Sequence, residues 1–343
     1  MLIGSKDSEN INESKVAQCI SRFFELPIAS VTNWIQVVKG TVKVTLPFAT
    51  KSLHDELIKQ IRLSAENEKL NISIDTQIKS APTKIAPIPN IKNVIAVASG
   101  KGGVGKSTTS VNLAFALLAE GATVGLLDAD IYGPSIPIML GNPTAKPSSE
   151  DNKKVVPLSS HGVVASSIGY FVPAEDATVW RGPMASKALH QLINETAWPE
   201  LDYLIVDMPP GTGDIQLTMA QQVPLSGAVV VTTPQDLALA DAIKGIAMFN
   251  KVDIPVLGLV ENMSYHQCSQ CGHKEAIFSE QGGDKLSEKY DLPLLGKLPL
   301  NIDIRQHADK GKPLQISQPE HPLSETYRQL ARQTAKYCYL KIV

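Results

Sequence analysis

The feature that most constrains the fold of this chain is a glycine-rich run: Gly100, Lys101, Gly102, Gly103, Val104, Gly105, Lys106, Ser107 and Thr108. It matches G-x-x-x-x-G-K-[ST], the phosphate-binding loop of nucleotide hydrolases. The apolar run at 93–98 before it predicts a buried strand, and the apolar positions after Lys106 predict a helix. Strand, loop and helix in this order place backbone N–H groups and a helix N-terminus around a polyphosphate.

Two side chains of this loop suit particular parts of a bound MgATP. Lys106 is predicted to reach the β- and γ-phosphates, and the Ser107 hydroxyl is predicted to bind Mg²⁺. We therefore expect residues 100–108 to form the ATP-binding loop, with Lys106 as a catalytic residue.

A second lysine, Lys101, follows the first glycine at a position where the motif accepts any residue. A cation there cannot easily fold back onto phosphates that its own loop already surrounds. The sequence KGGVGKST resembles the deviant Walker A motif of the dimeric ATPase class that includes MinD, ParA and the nitrogenase iron protein. The resemblance implies a homodimer in which Lys101 reaches the partner's nucleotide as a catalytic residue. The alternative is a solvated surface lysine.

The chain is expected to divide into a small and a large domain. Residues 1–80 predict a small α+β domain of order αββαβ, whose second helix covers residues 53–70. Residues 81–91 contain three prolines and predict an extended linker. Residues 92–343 alternate strands and helices. They predict an α/β P-loop NTPase domain whose mostly parallel sheet is covered by helices on both faces.

Carboxylates lie where ligands of such a sheet are expected. The candidate strands are Val94–Ala98, Thr123–Asp128, Leu201–Asp207, Ala228–Thr232 and Val256–Glu261. Ligands bind beyond the carboxyl ends of parallel strands. Asp207 is predicted to hold Mg²⁺, generally through water. The loop at 208–214, with two prolines and two glycines, is predicted to sense the γ-phosphate through a backbone N–H.

Three further polar side chains follow these strands. We expect Asp128 near the Mg²⁺ shell and Asp130 at the start of a first switch loop, where it orients the attacking water. One of the two could simply cap a loop. Asn262 follows the last candidate strand, and its carboxamide can donate to and accept from an adenine edge. The alternative for Asn262 is a turn-forming residue.

Cys268 and Cys271 form a C-x-x-C motif, which supplies two thiolates to one soft metal. The other two cysteines, Cys19 and Cys338, lie alone on predicted helices. One subunit therefore offers two ligands, where a tetrahedral site or a four-iron cluster needs four.

The residues alone leave three interpretations of this pair open. A zinc site could use both cysteines together with His266 and His273. A redox dithiol is possible, although the usual position at the start of a helix is missing. In the third interpretation, two subunits face each other across ATP and four cysteines hold one bridging [4Fe–4S] cluster.

Composition argues against some partners. Lys and Arg total 32 against 34 acidic residues, so a net charge of −2 gives no basic field for nucleic acid. Four cysteines do not make a disulfide framework, and a reducing cytoplasm is expected. Without a secretory signal or a run of 18 apolar residues, neither export nor a membrane span is expected.

Motifs between residues 92 and 310 together resemble the Mrp/ApbC family of iron–sulfur cluster carrier ATPases. They are VASGKGGVGKST at 97–108, LDADIYGPS at 127–135, WRGPM at 180–184, VDMPPGTGD at 206–214, VENMS at 260–264 and CSQCGH at 268–273. MinD- and ParA-type proteins share the loop but lack IYGPS, WRGPM and the C-x-x-C. The N-terminal unit is similar to a small domain, related to cluster-assembly factors, that many Mrp proteins carry.

This resemblance implies a homodimeric ATP hydrolase that carries a [4Fe–4S] cluster on Cys268 and Cys271. Its partners would be apo iron–sulfur proteins and cluster scaffold proteins. Separately, the glycine and proline of WRGPM fix a turn, from which Arg181 could brace the switch or the dimer face; the alternative is a packed tryptophan beside a turn. Three alternatives are a positioning ATPase on a membrane or nucleoid, an ATP-gated electron donor, and a zinc-stabilised ATPase. The first would need a basic amphipathic helix or a DNA-binding patch.

Overall fold

The computed structural model describes residues 13–149, 154–172, 182–268 and 270–342. They form two compact units, the first ending at Lys79 and the second spanning Ser80–Ile342. Trp180 and Arg181 of the WRGPM motif, and Ser269 between the two cysteines, lie outside the described residues.

The first unit packs helices on a small mixed sheet. Its elements are α1 (Glu13–Phe24), α2 (Ile28–Val31), β1 (Ile35–Val38), β2 (Thr41–Leu46), α3 (His54–Ser64) and β3 (Asn71–Thr76). Strand β2 pairs antiparallel with β1 and parallel with β3. Phe24, Trp34 and Phe48 meet edge to face beside buried aliphatic residues, an arrangement that aromatic rings favour.

Helix α3 ends well short of the predicted residue 70. Ala65 caps the helix, and Glu66 adopts a left-handed φ of 54° that turns the chain away from the helix axis. Asn67 then donates its N–H to the Arg62 carbonyl, and Leu70 donates to Asn67. The predicted helix end at residue 70 was wrong, because apolar residues continue at helical spacing past a turn that contains no glycine or proline.

Among the described residues, the second unit contains an eight-stranded sheet. Its strands are β4 (Ile91–Ala98), β5 (Val124–Asp128), β6 (Leu158–Ser160), β7 (Val163–Ser167), β8 (Leu201–Asp207), β9 (Gly227–Thr232), β10 (Val256–Glu261) and β13 (Leu294–Lys297). They lie in the order β13-β10-β9-β4-β8-β5-β7-β6, and all paired strands are parallel except β6 and β7, which are antiparallel.

Helices and one hairpin complete this unit. The helices are α4 (Lys106–Ala119), α5 (Ile136–Met139), α6 (Gly182–Asn194), α7 (Asp214–Gln222), α8 (Asp236–Lys251), α9 (Gly282–Tyr290), α10 (Ile302–Asp309), α11 (Leu314–Ser317) and α12 (Pro322–Tyr339). Strands β11 (His266–Gln267) and β12 (Lys274–Glu275) form the antiparallel hairpin. No helix among the described residues has the length and apolar character needed to cross a bilayer.

The sheet is covered on both faces, as the sequence predicts. Val94, Ala96 and Ala98 of β4 share one core with residues of α6, α7 and α8. Helix α4 packs against β4, β5 and β8, and α12 packs against α4 and β10. Strand β4 is buried on both sides, which explains why it reads as a continuous apolar run rather than an alternating one.

Residues 80–90, before β4, contain neither helix nor strand and belong to the second unit. The Ala81 N–H donates to Asn93 Oδ1 at 2.9 Å, and Lys84 Nζ lies 2.6 Å from Asp253 Oδ2. Polar contacts thus attach this proline-rich segment to the unit that follows it.

A buried ion pair joins α4 to α12. Arg332 Nη1 lies 2.8 Å from Glu120 Oε1, and the Glu120 side chain has no exposed surface. Arg332 also contacts Glu325 through its other terminal nitrogen, at 2.6 Å. The guanidinium therefore compensates a carboxylate that water cannot reach.

Removing this guanidinium is expected to destabilise the second unit strongly. Arg332→Ala should lower the free energy of unfolding by about 3–5 kcal/mol, because Glu120 stays buried without its cation. Urea unfolding followed by circular dichroism measures the change. Arg305→Ala, which breaks the exposed pair with Asp309, should cost less than about 1 kcal/mol. Equal losses of unfolding free energy in both variants would show that burial does not determine how much an ion pair contributes to stability.

Candidate functional site

The phosphate-binding loop connects β4 to α4, as its sequence predicts. Gly103 and Gly105 have φ values of 80° and 85°, in the left-handed region that favours glycine. Gly105 also lies so close to the Asn262 side chain that a Cβ would collide with it. Helix α4 begins at Lys106, so its first N–H groups face the space inside the loop.

Lys106 and Asp207 form the centre of the site. Lys106 Nζ lies 2.8 Å from Asp207 Oδ1, and the two side chains are 6% and 0% exposed. The Ser107 hydroxyl donates to Asp207 Oδ2 at 2.6 Å, and the Ser110 hydroxyl donates to Oδ1 at 2.7 Å. The first turns of α4 thus enclose the carboxylate that ends β8.

The donor set around this carboxylate fits Mg²⁺. Asp207 and Ser107 bring a carboxylate and a hydroxyl oxygen to one point beside the phosphate-binding loop. Hard oxygen ligands of this kind, with substrate phosphates, are what Mg²⁺ usually takes in such sites. Lys106 supplies a positive charge at the same point.

Asp128 ends β5 and is fully buried beside this centre. Its Oδ1 accepts the Asp130 N–H at 3.2 Å, and its Oδ2 accepts the Ile136 N–H at 3.2 Å and the Ser167 hydroxyl at 3.0 Å. Both oxygens therefore bind protein donors, and the carboxylate holds the loop after β5 to the start of α5 and the end of β7.

Burial and the neighbouring carboxylate change the acidity of this cluster. Burial and the charge of Asp207 raise the pKa of Asp128 from 3.8 to about 7. Burial also raises the pKa of Asp130, and the nearby Lys106 ammonium opposes that rise. Asp130 Oδ2 lies 3.8 Å from Lys106 Nζ, so the structure brings all four of these charged side chains together.

The loop after β8 is attached to the start of the phosphate-binding loop. The Gly211 N–H donates to the Ser99 carbonyl at 3.0 Å. Gln216, buried on α7, donates its side-chain N–H to the Pro209 carbonyl at 2.5 Å. No motif marks Gln216 in the sequence, where its one signal is a polar residue among the apolar positions of α7.

Asn262 lies directly after β10 and is buried. Its side-chain N–H donates to the Val104 carbonyl in the phosphate-binding loop at 2.8 Å. The residue predicted to contact adenine is therefore attached to the loop that surrounds the phosphates.

The two cysteines of the C-x-x-C motif lie at the end of the hairpin β11–β12. The Cys268 N–H donates to the His273 carbonyl at 2.9 Å, and the Gly272 N–H donates to the Cys268 carbonyl at 2.9 Å. Cys271 is exposed and Cys268 is partly exposed. Backbone N–H groups of Cys271 and Gln270 directed at the Cys268 sulfur lower the pKa of that thiol. A thiol of lowered pKa on an accessible turn is suited to binding a metal.

The described residues do not assemble the zinc site that His266 and His273 would complete. They contain no group of three or more His, Cys, Asp and Glu side chains placed to hold a metal ion. The His266 ring instead faces Glu275, with Nδ1 3.6 Å from Oε1.

Lys101 is partly exposed, near the start of the loop. Within the described part of the chain its ammonium has no hydrogen-bond or ion-pair partner, in contrast to Lys106. The predicted role of Arg181 falls outside the described residues.

The phosphate-binding loop joins a central parallel strand to a helix, and its lysine pairs with a carboxylate at the end of the neighbouring strand. This arrangement defines a P-loop NTPase. The family model described as NUBPL iron-transfer P-loop NTPase, within ParA, matches residues 90–335. The chain belongs to this family. Proteins of the P-loop class hydrolyse nucleoside triphosphates.

Relatives match most of the chain. The iron–sulfur cluster carrier protein of Escherichia coli K12 is 56% identical over 87% of this chain and 82% of its own length. The Haemophilus influenzae protein of the same name is 53% identical over 95% and 92%. The mouse iron–sulfur cluster transfer protein NUBPL is 49% identical over 80% and 86%. The family resemblance drawn from the motifs is confirmed.

Solved structures agree on the fold. A nucleotide-binding protein from Archaeoglobus fulgidus, determined in complex with ADP, is 36% identical and has a TM-score of 0.61. The match covers 69% of this chain and 93% of that one. MinD of Pyrococcus furiosus matches over 71% of this chain and 98% of its own, with 23% identity and a TM-score of 0.55. The MinD similarity shows the fold alone, and the P-loop NTPase prediction is confirmed.

The raised pKa of Asp128 predicts a specific pH dependence of stability. The folded chain holds this proton up to about pH 7, whereas the unfolded chain releases it near the ordinary value of 3.8. Stability from this group is therefore present at low pH and lost as pH rises through that interval. Between about pH 5 and about pH 8, the unfolding free energy should fall more in the native chain than in Asp128→Asn.

Urea unfolding at a series of pH values measures this difference. Asp309→Asn, an exposed control, should show the same pH trend as the native chain. A native chain whose stability runs parallel to that of Asp128→Asn over this interval would show that Asp128 is ionised throughout.

Proposed function

We propose that this protein binds iron–sulfur clusters and transfers them to apo iron–sulfur proteins, with ATP bound and hydrolysed at the phosphate-binding loop. The observation that carries the proposal is the exposed cysteine pair, because the turn around Cys268 favours the thiolate that binds iron. The names of the relatives, iron–sulfur cluster carrier and transfer proteins, support the same function. The cluster is cargo, supplied by scaffold proteins and received by apoproteins.

The ATP site supports hydrolysis of a bound nucleotide. Ser107 and Asp207 would hold Mg²⁺, which neutralises phosphate charge, and Lys106 binds the β- and γ-phosphates. Asp130 lies close enough to this lysine to orient the attacking water, while Asp128 stays near the Mg²⁺ shell. Asn262 contacts adenine from its position after β10, where its side chain is bonded to the phosphate-binding loop. Positioning and charge stabilisation of this kind account for most of phosphoryl-transfer catalysis.

The active form is a homodimer. Lys101 has no partner within the described residues of its own chain and is free to reach the nucleotide of a second copy, where it stabilises charge in the transition state. The same pairing brings two C-x-x-C motifs together. Four thiolates then complete a [4Fe–4S] cluster that one chain cannot hold with Cys268 and Cys271 alone.

The alternatives fit less well. A positioning ATPase of the MinD type is supported by fold similarity alone, at 23% identity. A zinc-stabilised ATPase lacks further protein ligands near the cysteines among the described residues. We place the protein in the cytoplasm, since its four thiols are free, as expected in a reducing compartment.

Two lysine variants test the ATPase. Lys106→Ala should abolish hydrolysis. Lys101→Ala should retain nucleotide binding but lower the rate by about 10²-fold or more, since it removes a charge that stabilises the transition state. Phosphate release and nucleotide-dependent dimerisation, measured by light scattering, are the readouts. Lys84→Ala, which removes an exposed lysine paired with Asp253, is the matched control and should behave as the native chain. Full activity in Lys101→Ala would remove its role across the dimer.

Cysteine variants test cluster binding. After anaerobic reconstitution, Cys268→Ala and Cys271→Ala should contain almost no iron or sulfide, because each dimer would lose two of four ligands. Cys19→Ala, a change in the first unit, should load as the native chain does. Metal analysis and absorption spectra measure the cargo. Equal iron in all variants, or a full cluster in protein that remains monomeric, would refute the bridging cluster.

A further inference from the structure

Glu261 belongs to the VENMS motif, but neither the ATP site nor the cysteine pair uses it. It ends β10, and only 2% of its surface is exposed. Its Oε1 accepts the Ser264 hydroxyl at 2.8 Å, and its Oε2 accepts the Gly283 N–H. A buried carboxylate with donors from two separate segments holds those segments together.

Those two segments are the ends of the loop that carries the cysteines. We name residues 265–282, with Cys268 and Cys271, the cysteine loop. Ser264 immediately precedes it, and Gly283 immediately follows it in the first turn of α9. The Glu261 carboxylate therefore fixes where the cysteine loop leaves the sheet and where it returns.

The contact with Gly283 leaves little room for a side chain at that position. A Cβ there would lie 2.8 Å from Glu261 Oε2 and 3.1 Å from Glu261 Cβ. The N-terminal N–H groups of α9 favour an acidic side chain beside them, and Glu261 occupies this position. Local packing and charge thus both favour Glu261 opposite Gly283.

The next residue connects the same strand end to the nucleotide site. Asn262 donates to the Val104 carbonyl inside the phosphate-binding loop, and its own N–H donates to Thr232 of β9. A single peptide bond separates the residue that contacts the phosphate-binding loop from the residue that holds the cysteine loop.

We propose that Glu261 is a positioning residue that couples the nucleotide state of the phosphate-binding loop to the geometry of the cysteine loop. The proposal rests on the proposed function. A shift of the Val104 carbonyl on nucleotide binding acts on Asn262, and the adjoining peptide transmits it to Glu261. Because Glu261 holds both ends of the cysteine loop, they move together. Coupling of this kind is reciprocal, so cargo on the cysteines changes ATP affinity by the same factor.

Thiol labelling tests the coupling without any iron. The parent chain carries Lys101→Ala, so that pairing between chains does not protect the cysteines. Labelling rates of Cys268 and Cys271, resolved by mass spectrometry, are compared with and without Mg²⁺ and a non-hydrolysable ATP analogue. We expect the analogue to change the rates about fivefold in the parent, and by less than about twofold after Glu261→Gln.

Two further variants and one control sharpen the test. Ser264→Ala removes one partner of the carboxylate, and Gly283→Ala displaces it without changing any charge; both should reduce the response to the analogue. Asp284→Asn, beside Gly283 but in an exposed pair with Lys297, should keep the full response. Thermal melting and analogue binding confirm that each variant folds. If Glu261→Gln does not fold, Ser264→Ala decides.

Either of two results would overturn the proposal. In the first, the labelling rates of the parent chain do not change when the analogue is added. In the second, a folded Glu261→Gln or Ser264→Ala chain shows the same change in labelling rate as the parent. The iron content of the cysteine variants tests the proposed function separately, so failure of one can be told from failure of the other.

Discussion

The ion pair between Lys106 and Asp207 is the interaction on which the site depends. At 6% and 0% exposure, neither charge could remain buried alone without a penalty of several kcal/mol. Hydroxyls of Ser107 and Ser110 complete the hydrogen bonding of the carboxylate. Since these donors come from the start of α4 and the acceptor from β8, the pair fixes the phosphate-binding loop against the sheet. The Lys106 ammonium, the Ser107 hydroxyl and the Asp207 carboxylate are thus held together beside the phosphate-binding loop.

The Asp207 carboxylate of this pair lies close to two other acidic side chains, those of Asp128 and Asp130. Asp128 lies in the same buried region, and the charge of Asp207 helps to raise its pKa to about 7. Three hydrogen-bond donors stabilise the Asp128 carboxyl group: the N–H groups of Asp130 and Ile136 and the Ser167 hydroxyl. The same bonds order the loop that carries Asp130 toward Lys106. The bonds that stabilise one buried acid therefore also position another beside Lys106.

The strands of the sheet could be predicted from the sequence more accurately than the side-chain contacts at the carboxyl ends of those strands. Buried parallel strands are continuous apolar runs, so β4, β8 and β10 could be found within a few residues. The turn at Glu66 carried no glycine or proline, and the end of α3 was missed. Ser167 bonds Asp128, and Gly283 bonds Glu261, from positions far along the chain, and local spacing contains no information on such pairs. The residue types show that these side chains are polar, but only the folded structure determines which donor bonds to which acceptor.

The order of the strands places the phosphate-binding loop and the cysteine loop close together. The phosphate-binding loop follows β4 and the cysteine loop follows β10, with β9 alone between these two strands. Neighbouring strands lie about 4.8 Å apart, so the two loops leave the same edge of the sheet roughly 10 Å from each other. Asn262 already spans part of that distance through its bond to Val104. The proposed coupling therefore needs no long path through the core, because only the Asn262 and Glu261 side chains lie between the phosphate-binding loop and the ends of the cysteine loop.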